Sequence, residues 1–197
     1  NTNSFKSVTY GGGKFVAVST DGTNRITYSE DGINWTAVAA PEQNAWNQVA
    51  YGEGRFVSVA YNGSSRVMYS DDGINWNLAS SSVQNGWEAL AYGEGRFVAG
   101  GYFGVNSDLM MYSDDGITWT TGTDANNNSQ VSITYGNGRF VAVSYQGTNR
   151  VSYSDDGITW SDAAAPEQNA WRSITYGNGL YVALACGVND TACNTTA

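Results

Sequence analysis

The sequence predicts an all-β fold, a five-bladed β-propeller whose last blade is incomplete. The first observation is a repeat: Tyr-Gly recurs at Tyr10, Tyr51, Tyr92, Tyr135 and Tyr176, at spacings of 41, 41, 43 and 41 residues. The second is that each repeat combines strand-forming runs with glycine turns, which is typical of propeller blades. The third is that no segment has helical periodicity of useful length.

The period divides the chain into five units within a single domain. Their approximate bounds are 1–43, 44–84, 85–127, 128–168 and 169–197, the last being partial. The second unit shows the pattern: we predict strands over 47–51, 55–60 and 66–69, and a fourth strand that begins at residue 74. Gly-containing turns separate these runs, so each unit predicts a four-stranded antiparallel sheet.

A Ser-x-Asp-Gly-x-x-Trp element closes the third turn of the first four units. Its Ser and Asp side chains are expected to accept backbone N–H groups inside the turn, its Gly permits positive φ, and its Trp is expected to bury a large ring. A turn is needed in every blade and a catalytic site once, so we interpret these residues as structural. They are Ser29, Asp31, Gly32 and Trp35; Ser70, Asp72, Gly73 and Trp76; Ser113, Asp115, Gly116 and Trp119; and Ser154, Asp156, Gly157 and Trp160.

This element resembles the Asp-box, or bacterial-neuraminidase repeat, of sialidases and many non-catalytic secreted propellers. Here it is one residue shorter than the usual family form, which has an extra position between Asp and Gly. The resemblance implies propeller architecture but little about activity, because the family's boxes lie away from its active sites. Sialidase chemistry in that family needs an arginine cluster, a Tyr-Glu pair and an acid/base Asp at non-equivalent positions. Here nearly every Arg and acid recurs with the repeat.

Composition excludes several function classes. The formal net charge is −9 and no basic stripe is present, so we expect no nucleic-acid partner. No apolar run reaches membrane-spanning length, so we expect no membrane insertion. Histidine is absent, which removes the commonest general base and metal ligand, and we expect no catalytic residue, metal or cofactor. Glu88 and Asp124 are isolated carboxylates, but nothing in the pattern selects them.

Several features favour an extracellular location. Cys186 and Cys193 could form a disulfide near the C-terminus, or remain free thiols. Asn-x-Ser/Thr sequons, which arise partly by chance in a chain rich in Asn and Thr, occur at Asn34, Asn62, Asn127, Asn189 and Asn194. Lysine is scarce and the chain is acidic. We therefore expect a secreted or surface-associated protein.

One face of the predicted ring is the candidate binding surface. In a four-stranded meander the second turns and the blade connectors share one face, opposite the boxes. Aromatic rings, amides and guanidinium groups at repeated positions are suited to sugars, because rings stack on C–H faces and planar groups bridge hydroxyls. The candidates are Asn24, Arg25, Tyr61, Arg66, Tyr145, Asn149, Arg150, Trp46 and Trp171. The alternative is that the arginines pair with acids of neighbouring blades and the tryptophans pack between blades.

The third and fifth units depart from the repeat. The third has Leu109 in the arginine position and Gln130 where tryptophan is expected, so we expect it to be the degenerate part of any binding face. The fifth has no box, and a third strand could occupy 189–197. An unpaired strand edge there would be a template for another chain.

We therefore expect a non-catalytic extracellular recognition or adhesion module, with carbohydrate as the ligand. The alternative is a self-assembling subunit of an extracellular fibre or surface layer, a homo-oligomer whose last blade is completed by a neighbouring chain. A sialidase-like glycoside hydrolase fits least well.

Overall fold

The computed structural model describes residues 3–81, 83–102, 109–124 and 127–186, and the all-β prediction is confirmed. These residues form eighteen strands, with no helix among them that could cross a membrane. The strands make four four-stranded antiparallel sheets and one two-stranded sheet, each in chain order. Each sheet is one blade of a β-propeller.

The strand bounds show one repeated plan. Blade 1 contains β1 (Phe5–Gly11), β2 (Lys14–Ser19), β3 (Ile26–Ser29) and β4 (Thr36–Val38). Blade 2 contains β5 (Trp46–Gly52), β6 (Arg55–Ala60), β7 (Val67–Ser70) and β8 (Asn77–Ala79). Blade 3 contains β9 (Gly86–Gly93), β10 (Arg96–Tyr102), β11 (Met110–Ser113) and β12 (Thr120–Thr121). Blade 4 contains β13 (Gln130–Gly136), β14 (Arg139–Ser144), β15 (Val151–Ser154) and β16 (Ser161–Ala163), and blade 5 contains β17 (Ala170–Gly177) and β18 (Leu180–Cys186). The third strand predicted over 189–197 lies outside the described residues.

The hairpin between the first two strands of a blade is fixed by its backbone angles. In blade 2, Gly52 pairs with Arg55, and the two turn residues between them, Glu53 and Gly54, have φ of 48° and 79°. Two successive positive φ values define the type I′ turn, whose twist matches that of the strands it joins. The fourth strand of this blade begins at Asn77 and not at residue 74 as predicted, because the box turn extends through Trp76.

The hydrophobic core lies between successive blades. The buried residues form four clusters, one between each pair of neighbouring blades. In the first cluster, Val16 and Val18 of β2 pack with Trp46 and Val49 of β5. Both faces of a middle blade are therefore buried, which explains why its strands do not alternate cleanly between polar and apolar residues.

A tyrosine of each blade from 2 to 5 sits on a glycine of the blade before it. A methyl group added at Gly11 would overlap the ring of Tyr51, so only glycine fits there. The same contact recurs for Gly52 with Tyr92, Gly93 with Tyr135 and Gly136 with Tyr176. We call the ring the knob and the glycine the socket. Four equivalent knob-and-socket contacts hold the described blades in order.

The outer faces of blades 1 and 5 lack such neighbours. Among the strands that the structure describes, no substantial packing joins β17 or β18 to β1. Val8 is 58% exposed, whereas Val49, at the same repeat position in blade 2, is 4% exposed. The described blades therefore form an open arc, with an apolar face at each end.

We predict that Tyr92→Ala lowers the free energy of unfolding by about 3 kcal/mol, because truncating a packed aromatic ring leaves a cavity. Tyr10 is the matched control, because it occupies the same repeat position but is 59% exposed. Tyr10→Ala should lower the free energy of unfolding by less than about 1 kcal/mol, as measured by urea titration of dilute protein. Equal losses for the two variants would show that the knobs contribute no inter-blade stability.

Candidate functional site

The two ends of the arc differ in their chemistry. The first turn of each blade and its box turn lie at one end, which we call the box end. The second turns and the blade connectors lie at the other, which we call the mouth end. This separation follows from the meander order within each sheet.

At the box end, the Ser, Asp and Gly residues of the boxes close the turn as expected, but Trp35 is 41% exposed and not buried as predicted, because no described blade packs on the outer face of blade 1. The Ser70 hydroxyl donates to Asp72 Oδ1 over 3.0 Å and accepts the Gly73 N–H over 2.8 Å. Asp72 Oδ1 also accepts the N–H groups of Ile74 and Asn75, over 2.8 and 2.7 Å. The same bonds recur in the other three boxes, at Ser29 and Asp31, Ser113 and Asp115, and Ser154 and Asp156.

These bonds shift the acid–base properties of the boxes. Partial burial raises the pKa of Asp72, but donation from the N–H groups of Asn75 and Ile74 outweighs it and lowers that pKa far below its ordinary value. The pKa of the aspartate in each of the other boxes is lowered as well. The boxes are therefore ionised and fully engaged in holding their turns.

Arginines at the box end are also engaged. Arg55 contacts Asp71 over 2.7 Å, and its Nη1 donates to the Asp115 carbonyl of the next blade. Arg96 repeats both contacts one blade later, with Asp114 and with the Asp156 carbonyl. These two guanidinium groups thus link successive blades.

At the mouth end, the predicted arginines brace their own turns. Arg66 donates from Nε to the Gly63 carbonyl and from Nη1 to the Gln84 carbonyl, over 3.2 and 2.9 Å. Arg25 and Arg150 likewise bond to backbone carbonyl oxygens. The alternative prediction, that these arginines pair with acids of neighbouring blades, is therefore wrong, because the groups that accept their hydrogen bonds are backbone carbonyls. The donors predicted to reach a ligand are directed to the backbone.

The asparagines and tryptophans of the predicted set are engaged as well. The backbone carbonyl oxygens of Asn24 and Asn149 accept bonds from the side chains of Asn3 and Asn128, which stabilise the turns. Trp46 is fully buried and its Nε1 donates to the Glu42 carbonyl, so the prediction that it contacts a ligand is corrected to a packing role. Trp171 makes the equivalent bond to Glu167 and is partly buried.

A β-bulge in the first strand of every blade leaves one residue unpaired near the mouth end. In blade 2, Trp46 pairs with Ala60 and Gln48 with Val59, which leaves Asn47 unpaired. A bulged residue breaks the strand alternation and re-aims its side chain. The residues at this position in blades 1 to 5 are Lys6, Asn47, Glu88, Val131 and Arg172. A strictly repeated backbone feature thus presents five different side chains.

A row of aromatic rings borders these bulges. Tyr61, Tyr102 and Tyr145 occupy the same repeat position, just after or at the end of the second strand of blades 2, 3 and 4. The centroids of Tyr61 and Tyr102 lie 5.7 Å apart, and those of Tyr102 and Tyr145 lie 5.8 Å apart with nearly parallel planes. Arg172 extends the row, with its guanidinium carbon 4.9 Å from the centre of Tyr145.

The mouth contains a cavity of about 510 Å³. Its lining residues come from blades 1, 2 and 3 and include bulge residues, tyrosines and two carboxylates. They are Ser4, Lys6, Thr20, Asp21, Ala45, Asn47, Tyr61, Glu88 and Tyr102. Burial raises the pKa of Glu88, and the positive charges of Arg172 and Lys6 oppose that increase. One carboxylate thus lies within the fields of two cations from different blades.

This cluster contains two predicted residues, Tyr61 and Tyr145. Sequence reasoning missed Lys6, Asn47, Tyr102 and Arg172, and named Glu88 without selecting it. The signal was variation within the repeat: the residue that follows the Trp46 position changes in every unit, whereas the Tyr-Gly pair that ends the same strand recurs. Contrary to expectation, the third blade contributes two of the lining residues.

The predicted sequon and cysteine positions that the structure describes do not line this cavity. Asn34, Asn62 and Asn127 are exposed, and Asn189 and Asn194 lie outside the described residues. Cys186 ends β18 and is disulfide-bonded, and Cys193, the chain's other cysteine, lies outside the described residues. No group of three potential metal ligands occurs in the described part of the chain.

No family model and no curated protein sequence matches this chain. Solved structures do match, and they are β-propeller proteins. A streptogramin B lyase aligns with a TM-score of 0.78 and 12% identity over 93% of this chain and 62% of its own. A nidogen/laminin complex aligns with a TM-score of 0.71 and 11% identity over 93% of this chain and 72% of its own. YCF48 bound to a D1 peptide aligns with a TM-score of 0.62 and 15% identity over 89% of this chain and 58% of its own.

At sequence identities this low, the structural similarity establishes the fold of this chain and nothing more. The chain spans between 55% and 62% of the length of the first four structures that it matches, so those proteins contain more chain than this one.

We predict that Asp72→Asn lowers the thermal unfolding midpoint near neutral pH and that the difference from the original protein vanishes in strong acid. The pKa of Asp72 is lower in the folded than in the unfolded protein, so its contribution is complete above about pH 4 and is lost as the pH falls through the folded-state value.

Differential scanning calorimetry at several pH values measures this change. Asp71→Asn is the control, because Asp71 is exposed and contributes one surface ion pair outside the turn network. A pH-independent deficit for Asp72→Asn would contradict the assigned role of its charge.

Proposed function

We propose that this protein is a non-catalytic recognition module that binds a carbohydrate at the mouth end. The tyrosine row carries the proposal, with Lys6, Glu88 and Arg172 beside it. Tyrosine rings offer apolar faces to sugar C–H groups, and their hydroxyls can donate and accept hydrogen bonds. Charged groups at the rim can form the stronger, charge-assisted bonds to ligand hydroxyls.

The mouth is a better candidate than the arginine-bearing turns on the same face. The guanidinium groups of those turns are already bonded to backbone carbonyls, whereas Lys6 is exposed and Glu88 lines an open cavity. A ligand therefore meets polar groups at the mouth without breaking the bonds that shape the blades. This favours shallow binding along the row of rings.

A non-catalytic role is supported by the state of the carboxylates. Glycoside hydrolysis commonly uses two carboxyl groups that flank the scissile bond. Asp21 shares the cavity with Glu88, but both of its oxygens accept bonds from Ser4, over 2.6 and 2.7 Å. Glu88 is thus left without a second carboxylate poised to act on a substrate.

We also infer that the repeats are of the Asp-box type and that the protein is extracellular. The Ser and Asp bonds of all four boxes and the burial of Trp119 and Trp160 support the first inference. The disulfide-bonded Cys186 supports the second, because disulfides persist in oxidising compartments. An adhesive role in that setting needs a face open to ligands, which the mouth end supplies.

We predict that a glycan array identifies carbohydrates that the protein binds. Tyr102→Ala should lower the affinity for the most tightly bound glycan by about tenfold or more. The middle ring contacts both neighbours in the row, and an aromatic contact contributes roughly 1 kcal/mol beyond its buried area. Isothermal titration with that glycan measures the change.

Glu88→Gln tests the charged group in the same assay, with Glu30→Gln as its matched control. Glu30 is an exposed glutamate at the box end, so its loss should leave affinity unchanged. An array without signal, or equal effects of the two substitutions, would refute binding at the mouth. Release of sugar from a fluorogenic glycoside would refute the non-catalytic assignment.

A further inference from the structure

The two terminal faces of the arc are complementary halves of the inter-blade interface. At the blade 5 end, Val182 is 51% exposed, although Val57 and Val98 at the same repeat position are fully buried. At the blade 1 end, Phe5, Val8 and Trp35 line an apolar groove of about 480 Å³. Each terminal face therefore exposes apolar residues at repeat positions that interior blades bury against a neighbouring blade.

The knob and the socket are each left unmatched once. Tyr10 is the knob of blade 1 and is 59% exposed. Gly177 is the socket of blade 5, and no atom of the described residues lies within 4 Å of the position that a side chain would occupy there. The four interior sockets are filled by tyrosine rings. The chain thus carries one free knob at one end and one empty socket at the other.

Hydrogen bonds from backbone N–H groups to serine hydroxyls point to the same interface. The Ser7 hydroxyl accepts the Val49 N–H over 3.2 Å, and the Ser132 hydroxyl accepts the Ile174 N–H over 3.2 Å. Ser173 occupies the corresponding position in blade 5 and is exposed. It would meet the N–H of Val8 if another blade 1 followed blade 5.

The box glycines give a third matching contact. Methyl groups of Val16, Val57 and Val98 pack on the box glycine of the following blade, at Gly73, Gly116 and Gly157. In blade 1, the atoms nearest to the Cβ position of Gly32, within 4 Å, belong to Phe15 of the same blade. Val182 of blade 5 is exposed. Repetition of the interior contact would place Val182 on Gly32.

We propose that the blade 1 face of one copy of this chain docks on the blade 5 face of a second copy, with Tyr10 seated on Gly177. The occupant is a second copy because this chain carries both halves of an interface that it already forms four times internally. The contact is made between blade faces and needs no added strand at the edge of β18. It is heterologous, so each dimer retains a free knob and an empty socket, and association continues until the ends meet.

The test is sedimentation velocity of the full 197-residue chain across a concentration series. We expect concentration-dependent oligomers, and at least about tenfold weaker association for Tyr10→Ala and for Gly177→Val. The φ of Gly177 lies outside the left-handed region, so valine suits the backbone there and only blocks the socket. Leu184→Ser, a polar change at a residue 67% exposed on the blade 5 face, is a second disruptive variant. Leu78→Ala is the control, because Leu78 is exposed on the outer strand of blade 2.

A mixing experiment distinguishes this interface from any other. Tyr10→Ala keeps its socket and Gly177→Val keeps its knob, so the two variants should each be monomeric alone and form a one-to-one heterodimer when mixed. Thermal unfolding confirms that each variant is folded. A monomeric original protein at all concentrations would overturn the proposal, and so would failure of the folded variants to pair. The first outcome would leave carbohydrate binding at the mouth unaffected.

Discussion

The packing of a tyrosine ring on a bare glycine backbone is the contact on which the arc depends. Hydrogen-bonded ladders run within each sheet, and the backbone pairing between neighbouring blades among the described residues is limited to isolated bridges, such as that between Ser80 and Thr118. The order of the blades is therefore held by side chains that cross from one sheet to the next. A glycine is required at each socket because any Cβ would overlap the ring. Since each blade contacts its neighbours alone, stability is approximately a sum of repeated terms, as in other repeat proteins.

The two ends of the arc differ in how far their polar side chains are engaged by the fold. At the box end, the aspartates and the Arg55 and Arg96 guanidinium groups are satisfied by turn N–H groups, carboxylates and carbonyls. At the mouth end, the bulge leaves one side chain per blade outside the ladder, where its identity can change without cost to the sheet. This explains why the bulge residue differs in every blade while the Tyr-Gly pair that ends the same strand recurs; the bulge residues are Lys6, Asn47, Glu88, Val131 and Arg172. Because the side chain at this fixed backbone position varies, each blade contributes a different chemical group to the mouth end.

The repeat predicted the blade plan, but it did not predict the mouth. Counting alternate residues places strands, and Ser-x-Asp-Gly places turns, because both signals are local in the chain. Period-two counting cannot locate a bulge, so Asn47 was assigned to an ordinary strand position. The acceptors of Arg66 are backbone carbonyls, one of them in the connector to the next blade, and no residue type marks them. The fourth strand starts at Asn77 because Trp76 completes the turn by donating to the Gly73 carbonyl.

The arrangement of the mouth gives association a consequence for binding. The bulge residues follow one another around the arc, so blade 1 of a docked second copy would place its Lys6 next after Arg172. The mouths of successive copies would then form one continuous surface, with a pair of cations at each junction. A ligand with several sugar units could bridge such a junction, and linked sites raise avidity without any new type of contact. Under the two proposals, recognition by a single arc and assembly of arcs would use different faces of the same blades. The inner strand that carries the bulge also carries the tyrosine knob.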